Sequence, residues 1–315
     1  MSQTNHQINY QLRRLGRTEL LVNCIGFGCC AIGGSKGGTL GYGATDDATS
    51  LLALESALEC GCNFFDTANV YGLGHSETLL GYFLLGRRKD LIISTKIGYR
   101  LDSTDNEQDF SPTHLRSSTF ACLRRLQTDY IDILQLHNPK PTSVFDPEVI
   151  STLEKLRDDG WVRFLGVSAE TTSDAEELAE AAWIDTLQIR FNLLDNSAEN
   201  RVFPVAKLND MGIIAREPLA NGFLSGKFSS NSSFPANDFR SLYDRQGITE
   251  IVNVAISSLH HNHNSPNLSP AQFAIRSVVR SPIVSVTIPG AKTPRQVLEN
   301  MSNFIYPRPQ DKFNL

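Results

Sequence analysis

The chain has 315 residues, 41% of them hydrophobic and 20% charged, which excludes a disordered or fibrous protein and supports a sizeable core. With 29 basic and 34 acidic side chains the net charge is −5, so the surface offers no basic field for a nucleic-acid partner. No apolar run approaches the roughly 18 residues a membrane helix needs, and the polar opening MSQTNHQINY is no signal peptide.

Apolar, β-branched runs predict strands at 24–28, 62–66, 91–95, 131–136, 162–167, 186–189, 212–215 and 284–288. Helical patterns fall between them at 46–60, 75–85, 113–126, 147–159, 173–182, 200–209, 249–259 and 270–280, and a last helix is expected at 293–303. Ser111-Pro112 and Asp146-Pro147 each offer an N-cap followed by proline at the first helical position. Gly61 and Gly160 stand where helices should stop.

Eight strands alternating with helices predict an α/β fold, a closed (β/α)₈ TIM barrel. The alternative, a doubly wound open sheet, would announce a nucleotide site with G-x-G-x-x-G after its first strand. The glycines at 26, 28, 33 and 34 do not have that spacing. Nothing marks a domain boundary, so residues 1–315 read as one barrel domain with a polar lead at 1–9 and a short tail at 306–315. Stretches 101–110 and 228–247 read as loops over the barrel mouth. The tail is too short for a long C-terminal lid, which predicts an open pocket shaped by the loops after the third and seventh strands.

Cys24, Cys29, Cys30, Cys60, Cys62 and Cys122 form no Cys-x-x-Cys and lie mostly beside apolar residues, pointing to packed, reduced thiols and a cytoplasmic location. The tract His260-His261-Asn262-His263-Asn264 lacks supporting carboxylates or cysteines and reads as a solvated connection; no metal site is expected.

Barrel enzymes carry their chemistry where strands end and βα loops begin. The second predicted strand ends at Asp66 and runs on to Tyr71; the third ends in Ser94-Thr95-Lys96; the fourth ends in Leu136-His137. A carboxylate, a phenol, an ammonium and an imidazole therefore emerge on one rim. An ammonium favours phenolate and a carboxylate holds the ammonium in place, while an imidazole can donate to an oxygen gaining charge. The set suits proton transfer at a carbonyl or alcohol oxygen. It has too few ligands for a metal, and a hydride from a nicotinamide is the natural agent to attack the carbonyl carbon.

The chain resembles the aldo-keto reductase family in Phe64-Phe65-Asp66-Thr67-Ala68 with Tyr71-Gly72, in Gly74-His75-Ser76-Glu77, in Ser94-Thr95-Lys96, in Asp129-Tyr130-Ile131-Asp132 with Leu136-His137, in Gly166-Val167-Ser168, and in Ile288-Pro289-Gly290-Ala291. The resemblance implies that Tyr71 is the general acid/base, that Lys96 and Asp66 tune it, and that His137 orients the substrate. It implies nicotinamide contacts at Ser168 and Gln188, a loop over the pyrophosphate at 218–227 with Leu219 and Gly222, and adenosine contacts at Gly290, Lys292, Gln296, Glu299 and Asn300. Gly290 followed by a helix start with cations beside it is also, on physical grounds, a ready anion site. NADP(H) is expected over NAD because Lys292 suits a 2′-phosphate.

Two departures from the family pattern stand out. Ala169 follows Ser168 where many members carry asparagine, and Arg216 occupies the place from which many stack an aromatic ring on the nicotinamide. A planar guanidinium can stack, so Arg216 is expected to take that role.

The function implied is reduction of a small aldehyde or ketone by NADPH. The alternatives are a sugar or aldose dehydrogenase running oxidatively, or a slowly turning cofactor-binding regulatory subunit. No nucleic-acid or membrane partner is expected, and a monomer is compatible with everything in the sequence.

Overall fold

The computed structural model describes residues 12–35, 41–103, 107–262 and 268–301. The lead at 1–9, the tail at 306–315 and the histidines beyond His260 in the 260–264 tract lie outside the residues whose side chains it describes.

A two-stranded antiparallel hairpin, β1 (Arg13–Arg14) and β2 (Leu21–Val22), comes first. Eight parallel strands follow: β3 (Phe27–Gly28), β4 (Phe64–Asp66), β5 (Ile92–Ile97), β6 (Ile131–His137), β7 (Val162–Ser168), β8 (Thr186–Arg190), β9 (Gly212–Arg216) and β10 (Val284–Thr287). They pair in sequence order. Parallel bridges Ile25↔Thr287 and Gly28↔Gly290 join the first to the last, closing the ring. The expected (β/α)₈ barrel is therefore the architecture observed.

The main outer helices are α2 (Asp47–Glu59), α3 (His75–Leu84), α4 (Pro112–Leu126), α6 (Pro147–Asp158), α7 (Thr172–Leu178), α9 (Phe203–Leu208), α11 (Pro270–Val279) and α12 (Pro294–Met301); α10 (Arg245–Asn262) belongs with a satellite cluster over the barrel mouth. Single turns stand at α1 (Cys30–Gly33), α5 (Pro141–Val144) and α8 (Ala198–Arg201). The caps read from sequence are in place: Ser111 Oγ accepts from His114 N, and the Asp146 side chain accepts from Glu148 N.

Two helix boundaries differ from expectation because a local signal set them elsewhere. The helix expected at 200–209 is split into α8 and α9, because Pro204 sits in the first turn of α9 and cannot continue a preceding helix. Helix α10 starts four residues before the expected 249, capped by Asp244, whose carboxylate accepts from Gly247 N at 2.7 Å.

The barrel interior below the rim is filled by a small cluster including Leu15, Phe64, Ile92, Ile133, Ile214 and Val286, all buried, with Leu15 entering from the N-terminal hairpin connection. A larger apolar layer between strands and helices surrounds it. All six cysteines are free thiols. No helix among the described residues is long and apolar enough to cross a membrane, and no metal-binding cluster of His, Cys, Asp or Glu occurs among them.

Candidate active site

Side chains alternate along a strand, so residues two apart share a face. In β5 this turns Ser94 and Lys96 inward; in β6, Gln135 and His137; in β7, Gly166 and Ser168; in β8, Thr186 and Gln188. Parallel pairing sets Asp66 against Ser94, Lys96 against Gln135, His137 against Ser168, and Ser168 against Gln188. The upper barrel is thereby plugged by polar groups, every one of them buried.

Asp66 organises this layer. Its Oδ2 accepts from Ser94 Oγ at 3.0 Å, Gln188 Nε2 at 2.9 Å and Gln135 Nε2 at 3.2 Å, and its Oδ1 from Lys96 Nζ. Lys96, fully buried, gives its other hydrogens to the Thr67 carbonyl at 2.8 Å and the Tyr71 hydroxyl at 3.3 Å. Its three donors are all used, and both carboxylate oxygens are satisfied, which is what a buried ion pair requires. Gln135, not anticipated as a site residue, reaches across because β7 carries Gly166. A Cβ there would lie 2.3 Å from Thr186 Oγ1 and 3.1 Å from Gln135 Cγ.

Tyr71 is brought to this layer by a tight loop. Gly72, at φ +60°, packs against the Gly33 carbonyl of α1, which a Cβ would meet at 2.1 Å. Ser76 Oγ donates to the Cys29 carbonyl, and buried Glu77 accepts from Thr95 Oγ1 and from Arg125 Nε, both at 2.6 Å. The start of α3 is thus tied to α1, β5 and α4, fixing the loop from behind. Burial holds the Tyr71 phenol well above its ordinary value of 10, with nearby Cys30 and Asp66 adding to the effect. Arg216 opposes that effect without overcoming it. The phenol is fully protonated, the form that can donate.

His137 lies edge-on to Tyr71, centroids 5.9 Å apart, and to Tyr99 at 5.0 Å. Burial, with the positive charges of Lys96 and Arg216 adding, pushes its pKa well below 6.5. The imidazole is neutral, and its Nδ1 has no hydrogen-bond partner.

Above this layer opens a cavity of about 660 Å³. Of the residues singled out from sequence, Asp66, Tyr71, His137, Ser168, Gln188, Arg216, Leu219, Gly222, Gly290, Lys292, Gln296, Glu299 and Asn300 all line it; Lys96 alone stands behind the wall. Cys30 also lines it, its thiol pushed up to about 12 by burial.

Several of these side chains already have partners. Ser168 Oγ donates to Gln188 Oε1 at 3.4 Å. Lys292 Nζ donates to the carbonyls of Tyr42 and Ala44, and Lys292 N to Gln296 Oε1 at 2.7 Å. Glu299 faces Lys227 at 3.7 Å, and Asn300 Nδ2 donates to the Gly290 carbonyl at 3.3 Å. The guanidinium of Arg216 pairs with Glu217 and donates to the carbonyls of Ala169 and Glu170, both at 3.1 Å, while its buried Nε lacks a partner. Arg216 is thus anchored by its terminal nitrogens at the cavity wall.

A strap that sequence reasoning missed crosses this cavity. Tyr42 Oη donates to Asn221 Oδ1 at 2.8 Å, Arg240 Nη1 donates to the Asn221 carbonyl at 3.0 Å, and the Arg240 guanidinium lies over the rings of Tyr42, Phe228 and Phe234. Asp238 holds Arg240 through both oxygens.

Residues 24–314 match the model of the Aldo/keto reductase family. The chain belongs to that family. It is 30% identical over 288 residues to the aldo-keto reductase YhdN of Bacillus subtilis, covering 89% of this chain and 84% of the relative. It is 27% identical over 308 residues to the NADH-specific methylglyoxal reductase of Escherichia coli, covering 91% of each. Among solved structures it is similar to the glycerol dehydrogenase AKR11B4 of Gluconobacter oxydans, with a TM-score of 0.75 and 27% identity over 96% of this chain and 93% of that one. Aldo/keto reductases are oxidoreductases of carbonyl and alcohol substrates that typically use nicotinamide cofactors.

The neutral histidine of this aldo/keto reductase has a measurable consequence. Below the unfolded-state pKa of about 6.5, the unfolded chain binds a proton at His137 that the folded chain does not. His137 therefore contributes a slope by which folding stability falls as pH drops below 6.5, up to about 1.4 kcal/mol per pH unit until the lowered folded-state value is reached. Urea unfolding of the wild type and a His137→Gln variant between pH 5 and pH 7 checks this. The variant is expected to lose that component of the slope; identical slopes would contradict a buried neutral imidazole.

Proposed function

We propose that this aldo/keto reductase is an NADP(H)-dependent, cytoplasmic enzyme of one barrel domain that reduces aldehydes or ketones, with Tyr71 as the general acid. The observation that supports this reading best is the single cavity joining Tyr71 and His137 to Lys292, Gln296, Glu299 and Asn300.

The residues fit the cofactor. Lys292 spends two ammonium hydrogens on backbone carbonyls and keeps one for a 2′-phosphate. Gln296 spends its oxygen on Lys292 N and keeps its NH₂. Gln188, whose NH₂ is committed to Asp66, offers an acceptor to a carboxamide, and Ser168 offers a hydroxyl. The Arg216 guanidinium stands on the same wall.

When bound there, the reduced nicotinamide supplies hydride to the carbonyl carbon. The rest is the work of this chain. Tyr71, protonated at rest, gives its proton to the carbonyl oxygen, and the ammonium of Lys96 steadies the phenolate left behind. Asp66, fixed by Ser94, Gln135 and Gln188, keeps that ammonium in position. His137 orients the substrate oxygen with a neutral ring N–H, adding no charge that would compete for the proton. The same groups run backwards would oxidise an alcohol; the likeness to a glycerol dehydrogenase favours keeping that direction as a second reading.

The E. coli relative is NADH-specific by name, so the preference for NADPH turns on Lys292. Initial rates with each coenzyme test it. The wild type is expected to favour NADPH, and Lys292→Ala to cut the NADPH/NADH ratio of kcat/KM by about tenfold to a hundredfold, the effect of one charge-assisted contact. A wild type that prefers NADH, or an unchanged ratio, would contradict the assignment.

A further inference from the structure

We infer that Gln135 is a positioning residue of the reaction: it aims the Asp66 carboxylate, and through it the Lys96 ammonium, at Tyr71. The inference rests on the carbonyl-reductase reading above and adds to it a residue that touches neither coenzyme nor substrate.

Packing alone would place an apolar side chain at this position. Residues two apart on β6 share the inward face, and Ile133, the inward residue below Gln135, belongs to the apolar filling with Phe64, Ile92, Ile214 and Val286. Gln135 is fully buried, and a buried amide is unfavourable unless it is hydrogen-bonded. Both of its hydrogens converge on one carboxylate. Nε2 donates to Asp66 Oδ2 at 3.2 Å and to Ser94 Oγ at 2.7 Å, and Ser94 Oγ donates on to the same Oδ2 at 3.0 Å. The Gln135 Oε1 is buried with no partner among the described residues. The amide is therefore directed at Asp66 while its own oxygen stays unsatisfied, the reverse of what a packing role would select. Room for it comes from Gly166, whose Cβ would stand 3.1 Å from Gln135 Cγ.

The three donors on Oδ2 are not equivalent. Gln188 donates at 2.9 Å but also lines the cavity, where a ligand can engage its amide. Gln135 and Ser94 are sealed behind the cavity wall, on the strands β6 and β5 that carry His137 and Lys96. They are the part of the anchor that a ligand does not reach. With Oδ2 saturated the carboxylate cannot turn, so Oδ1 stays on Lys96 Nζ, which donates in turn to the Tyr71 hydroxyl at 3.3 Å. Gln135 thus acts on the proton donor through Asp66 and Lys96.

The experiment replaces Gln135 with methionine, which keeps the volume and removes both donors. Single-turnover reduction of a small aldehyde by NADPH is measured across aldehyde and coenzyme concentrations. The maximal rate is expected to fall about tenfold to a hundredfold, the effect of one hydrogen bond to a charged group, with both half-saturation concentrations within about twofold of wild type. Ser94→Ala, a smaller truncation that removes a donor to the same oxygen, is expected to lower the maximal rate in the same way and serves should the methionine variant fold poorly. In a protein already carrying Lys96→Met and Asp66→Asn, Gln135→Met is expected to change the rate by less than about twofold, because the groups it acts through are gone. Maximal rates near wild type in the single variants, a loss confined to half-saturation, or the same fold loss with and without Lys96 and Asp66 would overturn the inference and leave the reductase reading standing. No reduction of any carbonyl compound by the wild type with either coenzyme would instead sink that reading, and this inference with it.

Discussion

Replacing Tyr71 with phenylalanine is expected to lower kcat by a factor on the order of 10²–10⁴, the contribution of a positioned general acid, and to leave coenzyme affinity within about twofold. The ring itself is held by the Gly72–Gly33 contact and the Ser76 and Glu77 anchors, none of which involves the hydroxyl. The single hydrogen bond lost is that from Lys96 Nζ at 3.3 Å. Stability should therefore change little while proton delivery disappears. Single-turnover rates, with coenzyme titration by fluorescence, separate the two effects; a variant that turns over as fast as wild type would remove Tyr71 from the mechanism.

The second large effect concerns Lys96. Its ammonium is fully buried against a carboxylate that is itself buried. Substitution by methionine leaves Asp66 as an uncompensated buried charge, and the expected cost is about 3–5 kcal/mol of folding stability. Asp66→Asn added to Lys96→Met removes that charge. Its oxygen can still accept from Ser94, Gln135 and Gln188, with the new NH₂ facing the vacated ammonium position. The double variant is expected to recover most of the lost stability yet remain at least about a hundredfold below wild type in kcat, since nothing then stabilises the Tyr71 phenolate. Denaturant unfolding of the three proteins beside their rates tests this. A single variant as stable as wild type would show that the pair is not the desolvated pair described; a double variant with full activity would show that the ammonium has no part in proton transfer.

The barrel and its rim were legible because strand ends announce themselves. Phe64-Phe65-Asp66 and Ile133-Leu134-Gln135-Leu136-His137 are apolar runs broken by polar side chains at the spacing that faces the barrel axis. That spacing also marked Gln135, two residues before His137 on the same face, but its role depends on cross-strand register and on the space left by Gly166. The strap was hidden for a different reason. Tyr42 and Asn221 are 179 residues apart, and Arg240 sits in a stretch whose polarity reads as loop. No local pattern encodes their meeting. The two-residue strands of the N-terminal hairpin are too short for any period to show. The burial that raises the Tyr71 phenol was hidden too, because neighbours can be read from a motif whereas burial is a property of the folded loop. Pro204 and Asp244, by contrast, were visible signals, and they set the break between α8 and α9 and the early start of α10.

The most direct test of the central claim is isotopic. NADPH carrying deuterium at the transferable C4 position is incubated with the wild-type protein and a small aldehyde, and the alcohol formed is analysed by mass spectrometry. One deuterium is expected on the carbinol carbon of each product molecule, with Tyr71→Phe forming almost none of that product. Alcohol formed without deuterium, or labelled coenzyme that binds but is never consumed with any carbonyl compound, would contradict it.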